Sequence, residues 1–487
     1  MYSDSAYGFL IWDSMVRGAA FNHLIIPRVD DIALDGSYFE AVWSPGQYLF
    51  AGALERLGLG LGRATDVVTT LFTVVGLVGW YRLYRRWGFP VSSAAIALAI
   101  TAGNRHVALP FGIYNGGEVL LFGGAPWFLL LIHRWQALRP AQALGLLAAI
   151  VALAFLKLAG ILFAFAAVAA VAVHDLWPPR RIRWRRPLTA ASMAAVFAVA
   201  FHVLWLSRGW TAIDAKSGTA WHILVPSFLE GWAATVAAMF SLGDMAARVL
   251  QRPGQQILQS LDNVYLAGAV PALALLGWTA HRLRSSHADY LRFVAAVALI
   301  YIAALAVIYG AGGELKMEDR FFRPVALLLL IGVVHAVVTA RAAIRLPLAA
   351  LAAVSMVYGV SSYGVRLQYN LHRPIGLRGF HHGNLSADGL ALLQREVARP
   401  ENAQALVWVM APEVALETPG TRVLVNAEFE RELQKRKYKG QVDRLLVFVD
   451  DRMIADGRAE IVLRSFLDYD RSKWVATRQG DTTVFSQ

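Results

Sequence analysis

Apolar residues run almost without interruption from Ala143 to Val173, thirty-one positions that hold a single charge, Lys157, near the middle. As one helix rising about 1.5 Å per residue, the stretch would reach roughly 46 Å, against a hydrocarbon core of about 30 Å. Both flanks are basic, with Arg134 and Arg139 before it and Arg180, Arg181, Arg183, Arg185 and Arg186 after it. Basic flanks mark the cytoplasmic side, and two flanks on one side require an even number of crossings. The pattern therefore predicts a tight hairpin of two short helices, with Lys157 and Gly160 at its far turn. An ammonium left in mid-bilayer costs on the order of 3 kcal/mol, so Lys157 is expected to reach a wet or anionic surface. The plainer alternative is a lysine that only snorkels.

Residues 1–63 are of mixed polarity, and the first membrane-length segment is Ala64 to Tyr84, ending in Arg82, Arg85 and Arg86. Those arginines place its end in the cytoplasm and the first 63 residues outside. Nothing ahead of them would drive export, so a spanning helix upstream of Met1 is expected. Val91 to about Pro110 then crosses outward, Glu118 to Ile132 returns, and the Lys157 hairpin follows. Leu188 to Leu206 goes out, and residues 207–261 form a long outer stretch in which Trp232 to Val249 reads as an interfacial amphipathic helix. Val264–Ala280, Phe293–Tyr309, Phe321–Ala340 and Leu346–Tyr363 complete about ten crossings, with basic residues at every inner loop. Both ends lie outside.

Beyond Arg366 the pattern changes to that of a soluble α/β domain. Ser386 is placed to cap a helix through Leu392 and Val397. Ala405–Met410, Arg422–Val425 and Leu445–Val449 read as short strands, with a charged helix, Glu428–Lys437, between the last two. Trp474–Thr477 and Thr482–Phe485 read as a closing hairpin. The organisation is thus a first extracytoplasmic loop over 1–63, a transmembrane core over 64–366 and a soluble extracytoplasmic domain over 367–487.

Composition agrees. The chain is 57% hydrophobic and 16% charged, whereas soluble domains are nearer a quarter charged. The net charge of +12 sits mostly in short loops between apolar segments, so topology explains it and nucleic-acid binding has no support. There is no cysteine, which excludes disulfides, thiol chemistry and Cys-ligated metal.

The chemistry is expected on the outer side, where four features gather. They are Asp4-Ser-Ala-Tyr7, with Trp43-Ser-Pro45-Gly46 behind it; Tyr114-Asn-Gly-Gly-Glu118; Lys157; and Glu318-Asp-Arg320-Phe-Phe-Arg323-Pro324. Such a set suits attack by a hydroxyl or amine on an anionic lipid-linked donor. A carboxylate takes the proton, and Lys and Arg hold the departing phosphate. Each has a plainer reading: Asp4 or Glu118 as a helix cap, Arg320 and Arg323 as headgroup anchors. Asp13, Asp30, Asp31 and Asp35 compete with Asp4 as the base. His381-His382 has no spaced partner that would make it a metal site, and Asp450-Asp451 reads as a turn.

In order and in common side, these motifs resemble the GT-C membrane glycosyltransferases, the group of protein O-mannosyltransferases and lipid A aminoarabinose transferases (glycosyltransferase family 39-like). The family's acid-x-x-Tyr in the first loop is matched by Asp4 and Tyr7, and its proline-started helix by Pro45. An acid in the second loop is matched by Glu118, a Leu-Thr-Lys-Gly-like turn by Phe155-Leu-Lys157-Leu, and an Arg-Tyr-x-x-Pro-like element by Arg320 to Pro324. The usual first spanning helix, the Thr before Lys157 and the Tyr at Phe321 are missing. The resemblance covers roughly residues 1–366. It implies inverting transfer of a sugar from a polyprenyl-phosphate donor to a lipid, glycan or protein acceptor, in a bacterial inner membrane. Asp4 would be the base, and Tyr7, Glu118, Lys157, Arg320 and Arg323 the substrate-binding residues. No cofactor is certain; a divalent cation is left open. A polysaccharide polymerase or ligase would use the same face. A transporter would instead show inverted repeats and mid-bilayer charges, and an inactive scaffold would make the outer acids dispensable.

Overall fold

The computed structural model describes residues 3–135, 139–174, 185–209, 223–250, 257–311, 318–425 and 436–487. The amino-terminal segment folds as α1 (Ser3–Val16), an antiparallel hairpin of β1 (His23–Pro27) and β2 (Asp35–Phe39), and α2 (Gly46–Arg56). The helical core follows: α3 (Leu61–Arg86), α4 (Val91–Gly103), the single turn α5 (Arg105–Ala108), α6 (Gly117–Arg134), α7 (Pro140–Leu156), α8 (Ala159–His174), α9 (Arg185–Leu204), α10 (Leu224–Phe240), α11 (Leu242–Leu250), α12 (Ile257–Leu283), α13 (Ala288–Gly310), α14 (Asp319–Val338) and α15 (Ala342–Leu371). Among the described residues, six helices are long and apolar enough to cross a membrane: α3, α9, α12, α13, α14 and α15. Helices α4, α7 and α8 are apolar but shorter. Every segment read as a crossing is helical, though fewer than ten have full spanning length.

The hairpin has the expected form. Helices α7 and α8 are joined at Lys157, whose backbone is extended (φ −160°, ψ 131°), and this breaks the helix at the one charged position. Two glycines let other segments press against the turn. A Cβ on Gly46 would sit 2.6 Å from the Phe155 carbonyl oxygen, and one on Gly117 would sit 3.0 Å from that of Leu156. The starts of α2 and α6 therefore converge on Lys157.

The interfacial helix expected over Trp232–Val249 is corrected. Residues Ala233 to Phe240 are all buried, and α10 packs among α12, α13 and α14. Its run of alanines and small residues permits close helix contact, which outweighs the amphipathic pattern. Ser241, in the left-handed region at φ 53°, ends α10, and the chain bends by 95° into α11. Asn104 locks that bend: its amide donates to the Ala238 and Met239 carbonyls, both at 3.1 Å, and its Oδ1 accepts from Ser241.

The carboxy-terminal part starts with α16 (Ala387–Ala398), capped as expected by Ser386, whose Oγ accepts from the Gly389 N–H. It contains strands β3 (Leu406–Val409), β4 (Arg422–Val425), β5 (Leu445–Asp450), β6 (Val475–Gln479) and β7 (Thr482–Ser486), in the spatial order β4-β3-β5-β7-β6. The first three strands of that order are parallel, and β5-β7-β6 are antiparallel. The strands lie close to the expected positions. The helix expected over Glu428–Lys437 falls almost entirely outside the described residues.

This sheet packs on the first loop. Ile32 sits in its core, Arg422 pairs with Asp35 at 2.8 Å, and Leu10 of α1 meets its other face. Arg378, before the sheet, grips Asp13 of α1 with two hydrogen bonds (2.9 and 3.0 Å) and Glu55 of α2 at 2.8 Å. Burial pushes the Asp13 carboxyl above its ordinary value, and the pull of Arg378 offsets only part of that. A carboxyl raised in the folded state contributes stability below its unfolded value and loses it as pH rises through the folded one. Arg378→Ala is therefore expected to cost about 2 kcal/mol or more at pH 8, with two acids left half-buried, and less at pH 5. Thermal unfolding of the variant and the parent at both pH values checks this.

Candidate active site

A cavity of about 830 Å³ lies where α1, the start of α6, the hairpin turn, α11, α13 and the start of α14 meet. Asp4, Glu118, Lys157, Arg320 and Arg323, far apart in sequence, all line it. Asp4 is exposed on the first turn of α1. Tyr7 stands one turn further on and stacks on Trp43 of the cavity wall, with ring centres 5.0 Å apart. The proline start of α2 holds Trp43 and Ser44 in place, since a proline at φ −60° is already set for a helix.

Glu118, on the first turn of α6, and Lys157 form an ion pair, and Arg323 Nη1 lies 3.8 Å from the same carboxylate. Their side chains are only 15%, 21% and 20% exposed, so these charges are mutually held rather than freely solvated. Arg320 differs. It is 45% exposed, pairs with Glu318 at 2.8 Å and lies over the Phe321 ring. The cations of the late motif thus split into one at the floor of the cavity and one at its rim.

The competing acids of the first loop lie elsewhere. Asp13 is held by Arg378, Asp30 by Arg28, and Asp35 by Arg422, while Asp31 accepts from the Ala33 N–H in a turn. Among the described residues, Asp4 is the first-loop aspartate that lines the cavity. His382 is buried against Glu417 at 3.0 Å, and Asp450 caps a short helix by accepting from Met453 N–H. Neither serves this cavity.

Three charged lining residues were not singled out from sequence, Arg105, His106 and Asp244, and a fourth, Asp319, stood within the Glu318–Pro324 motif without a role of its own. His106 Nε2 lies 3.2 Å from Asp319 and 3.7 Å from Asp244, and Arg105 pairs with Asp244. The bend at Ser241 aims Asp244 inward, and Asn104 sets α5, its side chain accepting from His106 N–H. His106, Asp244 and Asp319 bring ligand atoms within 4.8 Å of one another and could hold a divalent cation. Such an ion would have to share Asp244 with Arg105. Part of the lining is apolar: Ile161, Leu162 and Phe165 of α8, with Leu305 and Ile308 of the adjacent α13. A separate apolar groove of about 240 Å³ between α7 and α9 shares Leu158 with it.

No protein-family model and no curated protein sequence matches this chain. Among solved structures, ArnT from Cupriavidus metallidurans bound to undecaprenyl phosphate superimposes at a TM-score of 0.52. It shares 13% sequence identity, over 100% of this chain and 93% of that one. The apo state of the same protein covers the same shares, at 14% identity and a TM-score of 0.43. The first of these likenesses shows the fold alone: the chain is folded like that ArnT.

Proposed function

We propose that the chain is a membrane glycosyltransferase that moves a sugar from a polyprenyl-phosphate donor to a hydroxyl or amine outside the cytoplasm. One observation carries the reading: the carboxylate of Asp4 and the cations Lys157, Arg320 and Arg323 line a single cavity with an apolar wall. The undecaprenyl phosphate bound to the ArnT of the same fold is a donor carrier of this kind. The donor's phosphate meets Lys157 and Arg323, and its chain runs along α8 toward the groove between α7 and α9. Arg320, at the rim, reaches the phosphate from outside.

In the transfer step, the acceptor oxygen or nitrogen attacks the anomeric carbon from the face opposite the phosphate. The bond from that carbon to the phosphate oxygen breaks, and Asp4 takes the acceptor's proton. The electron pair leaves with the polyprenyl phosphate, whose growing charge Lys157 and Arg323 stabilise in a partly desolvated setting. Glu118 keeps Lys157 in place and presents a carboxylate to the acceptor. Tyr7 fixes the Trp43 wall against which the sugar lies.

Mass spectrometry of envelope lipids and glycans from a strain lacking the gene tests the reading. An acceptor short of one sugar is expected, restored by the wild-type gene and not by one carrying Asp4→Asn. Unchanged lipids and glycans would overturn it.

A further inference from the structure

The opposite end of the helical core holds a second polar cavity, of about 580 Å³, that takes no part in the reaction above. It lies among the inner ends of α3, α6 and α8, the start of α9, and the α12–α13 turn. Since α3 has 26 residues, it lies on the order of 39 Å of helix away from the outer loop. Three arginines from three elements line it: Arg86, Arg186 and Arg292. Among its described lining residues Asp289 is the one acid, and it pairs with Arg292 at 2.7 Å. Ser285, Ser286, His133 and His287 add hydrogen-bonding groups.

Basic residues at inner loops are expected from topology alone, so their number is not the argument. Their arrangement is. Trp87 donates to His133 Nε2 at 2.7 Å, and both rings pack on Phe293, so one wall is a fixed aromatic layer. Trp87 also meets Tyr290, which is anchored by its hydroxyl to the Leu328 carbonyl. The cavity thus pairs a cationic, hydroxyl-bearing mouth with a rigid apolar side, at the level where spanning helices end. Basic pockets between helices on this side suit lipid phosphates.

We infer that this inner cavity is a binding site for the phosphodiester headgroup of an anionic phospholipid, its acyl chains descending past Val171 and Phe293. The arginines take the phosphate oxygens and the serine hydroxyls the glycerol. The inference stands independently of the proposed reaction.

The test uses the full chain in nanodiscs of phosphatidylglycerol and phosphatidylethanolamine in equal parts, with retained lipids counted by native mass spectrometry. Preferential retention of phosphatidylglycerol is expected for the parent. It should fall roughly tenfold or more in Arg86→Gln/Arg186→Gln, as two cations near an anionic headgroup are removed. Ser286→Phe, which fills the cavity from an exposed position, should do the same if the double variant fails to fold. Arg341→Gln/Arg345→Gln, at the same face but outside the cavity, should retain the preference. Equal retention of both lipids by the parent, or equal loss in the control pair, would overturn the inference. Displacement of the lipid by inorganic phosphate alone would assign the cavity to a soluble anion and overturn it as well.

Discussion

Asp4→Asn is expected to lower the rate of sugar transfer by roughly a hundredfold or more, the usual contribution of a positioned general base. Donor binding should survive, because among the described residues Asp4 pairs with none of the cavity's cations. The substitution keeps the shape and any capping bond at the start of α1, and a cap tolerates Asn well. Loss of rate without loss of binding or fold therefore separates proton acceptance from a structural role. The rate and donor binding of the purified variant in lipid check this. Near-normal transfer would pass the role to another carboxylate of the cavity, Glu118, Asp244 or Asp319, since Asp13, Asp30, Asp31 and Asp35 are engaged away from it.

Lys157→Met should cost roughly a hundredfold in rate, with weakened donor binding, because it keeps the apolar stem and removes the charge that meets the phosphate. The ion pair with Glu118 complicates a single substitution: without Lys157, Arg323 is the nearest described cation left to the carboxylate. The double variant Glu118→Gln/Lys157→Met resolves this as a thermodynamic cycle. If Lys157 serves only to neutralise Glu118, the double variant recovers much of the activity. If Lys157 holds the donor phosphate, activity stays low. Steady-state transfer and donor binding for the three variants distinguish the two outcomes.

Much of this arrangement was legible in the chain, for reasons particular residues make clear. One lysine in thirty-one apolar positions announced a break, and the backbone breaks there. Arginine flanks implied alternating directions for successive helices and so one face for Asp4, Glu118, Lys157 and Arg323, and the four residues line one cavity. The strands around Trp408 and Phe448 were readable because a sheet core demands continuous apolar runs. Span lengths were less legible, since apolar composition does not show where α4, α7 and α8 stop.

What the sequence hid depended on long-range geometry. Arg105, His106 and Asp244 reach the cavity, where His106 meets Asp319, because Asn104 bonds two carbonyls at the end of α10 and Ser241 turns the chain. No spacing among residues 104, 241 and 319 signals that encounter. Trp232–Val249 misled for a related reason: its apolar and small residues fit either a membrane surface or a helix interface, and only the neighbouring helices decide. The role of Arg378 was equally invisible, because Asp13 and Glu55 lie more than three hundred residues before it.

The central claim is a transfer in which a polyprenyl phosphate is the leaving group. The most direct measurement incubates the purified chain in lipid vesicles with a polyprenyl-phosphate sugar and an extract of envelope acceptors, and follows free polyprenyl phosphate by mass spectrometry. The account predicts release that depends on the acceptor extract, matches the sugar gained by an acceptor one for one, and is nearly abolished by Asp4→Asn. A donor that stays intact with every acceptor fraction, or release that Asp4→Asn leaves unchanged, would contradict it.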